Sequence, residues 1–228
     1  IINSPSNPTG GVWSNEAVIK VIELAKKIDA WVFSDECYEQ LTYDKPYVST
    51  ASLVNDDNKI LTFQSCSKTY AMTGWRIGYT AGSQPVIKAM AKLQGQSTSC
   101  PNSIAQHAAI EALIGDQKII QEMVSIFKKR RGLIIDGLNS INNIICEEPK
   151  GAFYVFPNIS SFLNKKYKNI SIKSSNDLSM LLLEKTFVVT VAGDCFGAPE
   201  NIRFSYATSE DIITQMIDRI KPIFDSIK

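Results

Sequence analysis

Short apolar runs, each closed by a cluster of polar residues, constrain this chain more than any other feature. Ile1 and Ile2 lead into the proline- and asparagine-rich stretch from Ser4 to Gly11. Trp31 to Ser34 is closed by Asp35 and Glu36, and Lys59 to Gln64 runs into Ser65-Cys66-Ser67-Lys68. Arg76 to Ala81 is a further run of the same kind. Runs this short and unbroken in apolarity predict strands covered on both faces. Between the first two, Val18, Ile19, Ile22 and Ala25 recur at helical spacing, from a Ser14 cap to about Ile28. Strands separated by helical or loop crossovers predict an α/β fold, a mainly parallel sheet with helices on both faces.

Helical patterns then take over, at Pro85 to Gln96, Asn102 to Ile114 and Asp116 to Asn139. Gly132 and Gly137 predict a bend in the last of these, at a change of domain. Beyond it the chain reads as α+β. Strands are predicted at Ala152 to Phe156, Phe187 to Ala192 and Ile202 to Tyr206, with a helix at Asp177 to Glu184. The polar stretch from Asn158 to Asn176 reads as an extended loop. A final helix carries one apolar stripe, Ile213, Met216, Ile217, Ile220 and Phe224 among it, opened by a capping box at Thr208 to Asp211. The expected division is 1–125, part of a large domain, and 126–228, a small C-terminal domain.

Composition removes several classes of function. Lys and Arg number 24 against 23 Asp and Glu, so there is no basic field to attract nucleic acid. Five cysteines without a close pair predict reduced thiols, hence a cytoplasmic setting rather than a disulfide framework. The one histidine, His107, sits in an alanine-rich helical pattern and reads as a packed or partly exposed core residue. It leaves no His-rich metal site, and a Ser-His-Asp triad only through that position. No stretch is long and apolar enough for a membrane span, and no signal peptide is visible. The basic cluster Lys128 to Arg131 reads as a solvated face.

The polar residues that close the apolar runs are the chemical candidates, because open α/β sheets place their sites at strand ends. Asn7 follows the first run, Asp35 and Tyr38 the second, and Ser65, Ser67 and Lys68 the third; Arg76 opens the next. Each alone has an ordinary structural use in a turn, a cap or a core rim. Together they are the groups that hold an anionic aromatic aldehyde. A shielded lysine forms an imine, a carboxylate keeps a proton on a ring nitrogen, Tyr and Asn bind a phenolate, and Ser and Arg bind a phosphate.

In this order the blocks resemble the class I/II aminotransferases, pyridoxal-phosphate enzymes with the fold of aspartate aminotransferase (fold type I). The matching blocks are Ser6-Asn7-Pro8-Thr9-Gly10, Ser34-Asp35-Glu36-Cys37-Tyr38, Ser65 through Gly78, Gly151-Ala152-Phe153-Tyr154 and Asn201 through Ala207. The resemblance implies pyridoxal 5'-phosphate bound as a Schiff base to Lys68, which also shuttles the substrate proton. It implies Asp35 on the pyridinium, Tyr38 and Asn7 on the phenolate oxygen, and Ser65, Arg76 and more weakly Ser67 on the phosphate. Arg203, with Asn7, is implied to bind the substrate carboxylate. Aspartate and 2-oxoglutarate are the first-choice substrates, prephenate or aromatic substrates and C–S lyase chemistry the alternatives, and a homodimer the implied assembly.

Enzymes of this kind carry a long segment ahead of the Asn7 block, with a phosphate loop and the residue that reads the distal carboxylate. The chain is therefore expected to be the C-terminal part of a working aminotransferase, half of a split one, or a truncated non-catalytic remnant. For these residues alone, weak cofactor binding and little turnover are expected.

Overall fold

The computed structural model describes residues 1–54 and 59–228, which fall into two compact units. One comprises Ile1–Ser6 and Gly11–Val124, the other Asn7–Gly10 and Ser125–Lys228. The protein is a mixed α/β chain with a parallel-containing sheet, as the apolar runs predict.

In the first unit, β1 (Ile2–Asn3), β2 (Val32–Asp35), β3 (Ile60–Ser65) and β4 (Gly78–Ala81) pair in sequence order. The first two pairings are parallel and the last is antiparallel. Helix α1 (Asn15–Lys27) connects β1 to β2. Ser14 caps it by accepting from the Ala17 amide at 3.2 Å, with Glu16 in its first turn and Lys26 and Lys27 in its last. Its Val18, Ile22 and Ala25 bury against Ile2, Val32 and Ile60, one face of the sheet. Side chains alternate along a strand, so Phe33 and Asp35 project from the opposite face. There Phe33 remains 39% exposed, with its ring edge-on to Phe63.

A four-residue helix, α2 (Cys66–Thr69), follows β3 directly. The sequence places Arg76 in a strand, and the structure corrects this. Thr73–Trp75 form a 3-10 turn that ends on Arg76 in the left-handed region, φ 52°, and β4 begins only at Gly78. Helices α3 (Gln84–Ser97) and α4 (Ser103–Ile114) complete the unit. Ala109 of α4 packs on Cys66 and Met72, whereas His107 is exposed rather than part of the core.

Helix α5 (Lys118–Asn139) runs through the division at residues 124 and 125 and continues unbroken past both glycines where a bend is expected. Gly137 serves close approach instead: a Cβ there would lie 2.6 Å from Ile217 Cγ1. Nor is the basic cluster a uniformly solvated face. Lys129 pairs with Glu210 at 2.7 Å, and Arg131 is only 4% exposed.

In the second unit, β5 (Tyr154–Val155) belongs to a three-stranded sheet. The expected extended loop contains instead a hairpin, β6 (Lys165–Tyr167) and β7 (Ile170–Ile172). Its pairing puts Tyr167 and Ile172 on one face, where both are buried, a two-residue signal lost among polar neighbours. Helix α6 (Ser175–Thr186) starts with a capping box, Ser174 to the Asp177 amide and Asp177 back to the Ser174 amide. It ends on Phe187 at φ 58°, so the expected strand from Phe187 shrinks to β8 (Val191–Ala192). Strand β9 (Ile202–Ser205) lies between β5 and β8, antiparallel to both. Helix α7 (Glu210–Asp225) is capped by Ser209, which puts Asp211 at the second helical position, one short of closing the expected box. Leu178 and Leu182 of α6, Phe204 of β9 and Ile220 of α7 are fully or nearly fully buried.

Adjacent leucines of α6 test this core. Leu182 is fully buried and Leu183 is 38% exposed. Leu182→Ala is expected to destabilise the fold by about 2–5 kcal/mol, and Leu183→Ala by about 1 kcal/mol or less. Urea denaturation followed by circular dichroism distinguishes the two.

Candidate active site

Lys68 sits in α2, on a turn fastened from below. Cys66 and Thr69 on either side of it are buried, while Lys68 itself is half-buried. The amides of Tyr70 and Met72 both return to the Cys66 carbonyl, at 3.2 and 3.3 Å. The Ser65 hydroxyl caps the turn by accepting from the Ser67 amide at 3.1 Å. Cys66, Met72 and Ala109 form the apolar floor, so the lysine stem leaves a fixed backbone rather than a mobile loop.

Asp35 ends β2 one strand away. The parallel register pairs Asn3 with Asp35, and Asn3 Nδ2 donates to Asp35 Oδ2 at 3.0 Å. The Cys37 amide donates to the other carboxylate oxygen at 3.2 Å. Both donors fix the direction of the carboxylate. Tyr38 follows in a turn closed by Leu41 on its carbonyl, its side chain buried.

Cys37, which the sequence reading passed over, marks where these groups meet. Burial pushes its thiol pKa up, and the Asp35 charge pushes it further; a hydrogen bond from Ser65 and the Lys68 charge pull it down. Asp35, Ser65 and Lys68 therefore all act on one thiol. Phe33, Asp35, Cys37, Phe63 and Ser65 line a cavity of about 380 Å3. Asn3 and Cys37 could have been found only from the strand register, since neither stands out by residue type. Arg76 is exposed, and its Nη1 donates to the Thr73 carbonyl at 3.0 Å. The Cys66 amide bonds Ile77, the residue after it, at 3.3 Å.

Asn7 and Arg203 lie in the second unit and meet directly. Arg203 Nη1 donates to Asn7 Oδ1 at 2.6 Å. The guanidinium lies 4.5 Å from the centre of the Tyr154 ring and 5.2 Å from that of Phe196. Two aromatic contacts and one amide thus hold the fork. The loop bearing Asn7 is fixed through Gly10, whose carbonyl accepts from the amides of both Lys150 and Gly151 at 2.9 Å. Gly10 has φ +66°, and a Cβ there would lie 2.3 Å from Pro149 Cβ, so only glycine fits. Buried Arg131 supports the shelf from behind, donating to the Pro149 carbonyl at 2.8 Å and pairing with Glu148 at 2.8 Å. Tyr154, Phe196 and Arg131 are a second set of residues the sequence reading did not single out; an aromatic two strand positions from an arginine carries no signal alone.

Among the described residues no cluster of three metal-ligating side chains occurs, and no helix is long and apolar enough to cross a membrane.

Comparison with known proteins identifies the family. The profile described as "Aminotransferase class I and II" matches residues 1–220. The chain belongs to that family. The aspartate aminotransferase of Rhizobium meliloti is 40% identical, over 100% of this chain and 56% of its own length. The aspartate/prephenate aminotransferase of Cereibacter sphaeroides is 40% identical over 97% of this chain and 56% of its own. Among solved structures, that of the Rhizobium meliloti aspartate aminotransferase superposes with a TM-score of 0.94 at 40% identity, over 100% of this chain and 58% of its own. An aromatic aminotransferase from Pyrococcus horikoshii gives 0.90 at 34% identity, over 98% of this chain and 59% of its own. The fold is thus that of the pyridoxal-phosphate-dependent aspartate aminotransferases. The chain spans about half the length of these relatives.

The thiol makes the first cluster testable. Below its pKa a thiol reacts in proportion to its thiolate fraction. Asp35→Asn removes a charge that raises the Cys37 pKa and is expected to speed its alkylation at pH 8. Lys68→Ala removes a charge that lowers it and is expected to slow the same reaction. Peptide mass spectrometry after brief iodoacetamide treatment reads both. Unchanged rates in both variants would separate the thiol from the two charges.

Proposed function

We propose that this protein is an aminotransferase that moves an amino group between an amino acid, aspartate in the first instance, and a 2-oxo acid such as 2-oxoglutarate. It uses pyridoxal 5'-phosphate held by Lys68. The observation that carries this reading is Lys68 on its fastened turn at the end of β3, beside the strand that ends on the Asp35 carboxylate, in a chain of the class I and II family.

The residues fit the group. A fixed carboxylate and the capping Ser65 hydroxyl line a cavity of about 380 Å3, and with the half-buried Lys68 amine three residues on they match its ring nitrogen, phosphate and aldehyde. When bound, pyridoxal phosphate supplies an electron sink for the proton loss at the substrate's Cα. Lys68 Nζ would hold the group through its aldehyde, and as a free amine it would be the base within reach of the substrate's Cα proton. Asp35, its two oxygens already aligned by Asn3 and the Cys37 amide, keeps a proton on the ring nitrogen. Tyr38 and Asn7 bind the phenolate oxygen. Ser65, Ser67 and Arg76 bind the phosphate. Arg203 offers the substrate carboxylate a planar fork, preorganised by Tyr154, Phe196 and Asn7.

Prephenate or aromatic substrates form a second reading. Its support is the names of two relatives, an aspartate/prephenate enzyme and an aromatic aminotransferase. A cytoplasmic homodimer is the assembly we infer from the family. Helix α3, which has no buried residue and leaves Leu93 72% exposed, offers surface for it.

With the chain joined to the N-terminal part its relatives carry, borohydride reduction in the presence of pyridoxal phosphate is expected to label Lys68, and Lys68→Ala to abolish both label and turnover. Label on another lysine would refute the assignment. Arg203→Lys is expected to raise the KM for aspartate at least about tenfold with a smaller change in kcat, since lysine cannot form the bidentate pair. Steady-state kinetics with aspartate, prephenate and phenylalanine as alternative partners separates the two readings.

A further inference from the structure

Glu36 stands beside Asp35 in sequence, yet points away from it into the protein, with no exposed surface. A buried carboxylate is costly unless its oxygens are satisfied. Here one oxygen accepts from the Ser34 hydroxyl at 2.9 Å, the Ser49 hydroxyl at 3.1 Å and the Thr50 amide at 2.9 Å. The other faces Gln64 Nε2 at 3.4 Å. The Thr50 hydroxyl closes a ring on Ser34 at 2.7 Å. Tyr47 borders the group: burial, then the Glu36 charge, push its hydroxyl pKa well up, so it stays a neutral neighbour.

The placement of these donors gives the carboxylate its meaning. Ser34 immediately precedes Asp35, and Gln64 immediately precedes Ser65, the cap of the Lys68 turn. Ser49 and Thr50 belong to the connection between the two strands. One carboxylate therefore ties together the ends of β2 and β3 and the segment joining them, at the level where both strands release their polar residues. The Glu36 amide adds a backbone tie, donating to the Phe63 carbonyl at 3.0 Å.

We propose that Glu36 is a positioning residue for cofactor capture, holding Asp35 and the Ser65–Lys68 turn at the spacing one cofactor molecule requires. The inference rests on the functional reading above and goes beyond it, because Glu36 touches neither cofactor nor substrate. Its charge is dispensable as long as the acceptor geometry survives. Glutamine keeps an oxygen for Ser34, Ser49 and Thr50, and Gln64 can turn its own amide to match.

The test is the dissociation constant for pyridoxal phosphate, measured by absorbance on protein prepared as the apo form and held well below its melting temperature. Borohydride labelling of Lys68 is read in parallel. Glu36→Ala is expected to bind at least about tenfold more weakly while remaining folded at that temperature, and Glu36→Gln to stay within about threefold of wild type. Glu36→Asp keeps the charge but withdraws it by one methylene, and is expected to lose about tenfold; it serves should the alanine variant not fold. A purely structural role would lower the melting temperature and leave the affinity of the folded protein unchanged, and that result overturns the proposal. So does a Glu36→Gln affinity as poor as that of alanine. Wild-type protein unlabelled at Lys68 overturns the functional reading, and this inference with it. Wild type labelled at Lys68, with Glu36→Ala and Glu36→Asp binding equally well, overturns this inference alone.

Discussion

The parallel pairing of β2 with β3 is the constraint on which the first unit depends. Its register sets Asp35 opposite Phe63, two residues before Ser65 begins the lysine turn. A slip of one residue would exchange the two faces of β3. Ile60 and Thr62 would leave the buried side, and the turn bearing Lys68 would be displaced relative to Asp35. No local feature of Lys68 could compensate, since its backbone is fastened to the strand through Ser65 and Cys66. The chemistry available to this unit is therefore fixed by sheet pairing before any polar contact forms.

Asp35 and Glu36 show how a period of two separates two carboxylates that sequence places side by side. Asp35 is half-buried and held by two donors, so one side of it remains available. Glu36 spends its lone pairs on the protein itself. Leaving one of these buried donors or acceptors unpaired costs roughly 1–3 kcal/mol. That penalty holds the strand ends together. Arg131 is its counterpart in the second unit, buried and bound to Glu148 and the Pro149 carbonyl behind the shelf that fixes Gly10. In each unit a buried ionic group is tied to the backbone that carries the functional side chain, Glu36 through the Thr50 amide and its own amide, Arg131 through the Pro149 carbonyl.

Much of this was legible in the sequence, and the parts that were not share a cause. Strand and helix order followed from apolar periodicity, and family membership from five short blocks in order. Arg76 was misplaced because Ile77 and Tyr79 extend an apolar run across a left-handed residue that hydropathy cannot register. The β6–β7 hairpin was hidden because two buried side chains, Tyr167 and Ile172, carry it within a polar stretch. Gly137 looked like a hinge because glycine weakens helices, whereas its use depends on Ile217, distant in sequence. The site behaved alike. Residues whose type announces chemistry could be named as candidates from the sequence; Asn3, Cys37, Tyr154 and Phe196, which border them only in the fold, could not.

Arg203 shows why the second class matters as much as the first. An exposed arginine samples many rotamers, and ordering it costs up to about 2 kcal/mol of side-chain entropy. Here two rings and the Asn7 carbonyl oxygen confine the guanidinium before any ligand arrives. The ordering cost falls on folding instead of binding, so more of a carboxylate's interaction energy is left to affinity and orientation. The same holds for Lys68, where the cap and the apolar floor fix the backbone and leave only the stem to be ordered. What distinguishes these cations from the surface lysines of α5 is the packing beneath them, and that packing is built from residues no functional motif contains.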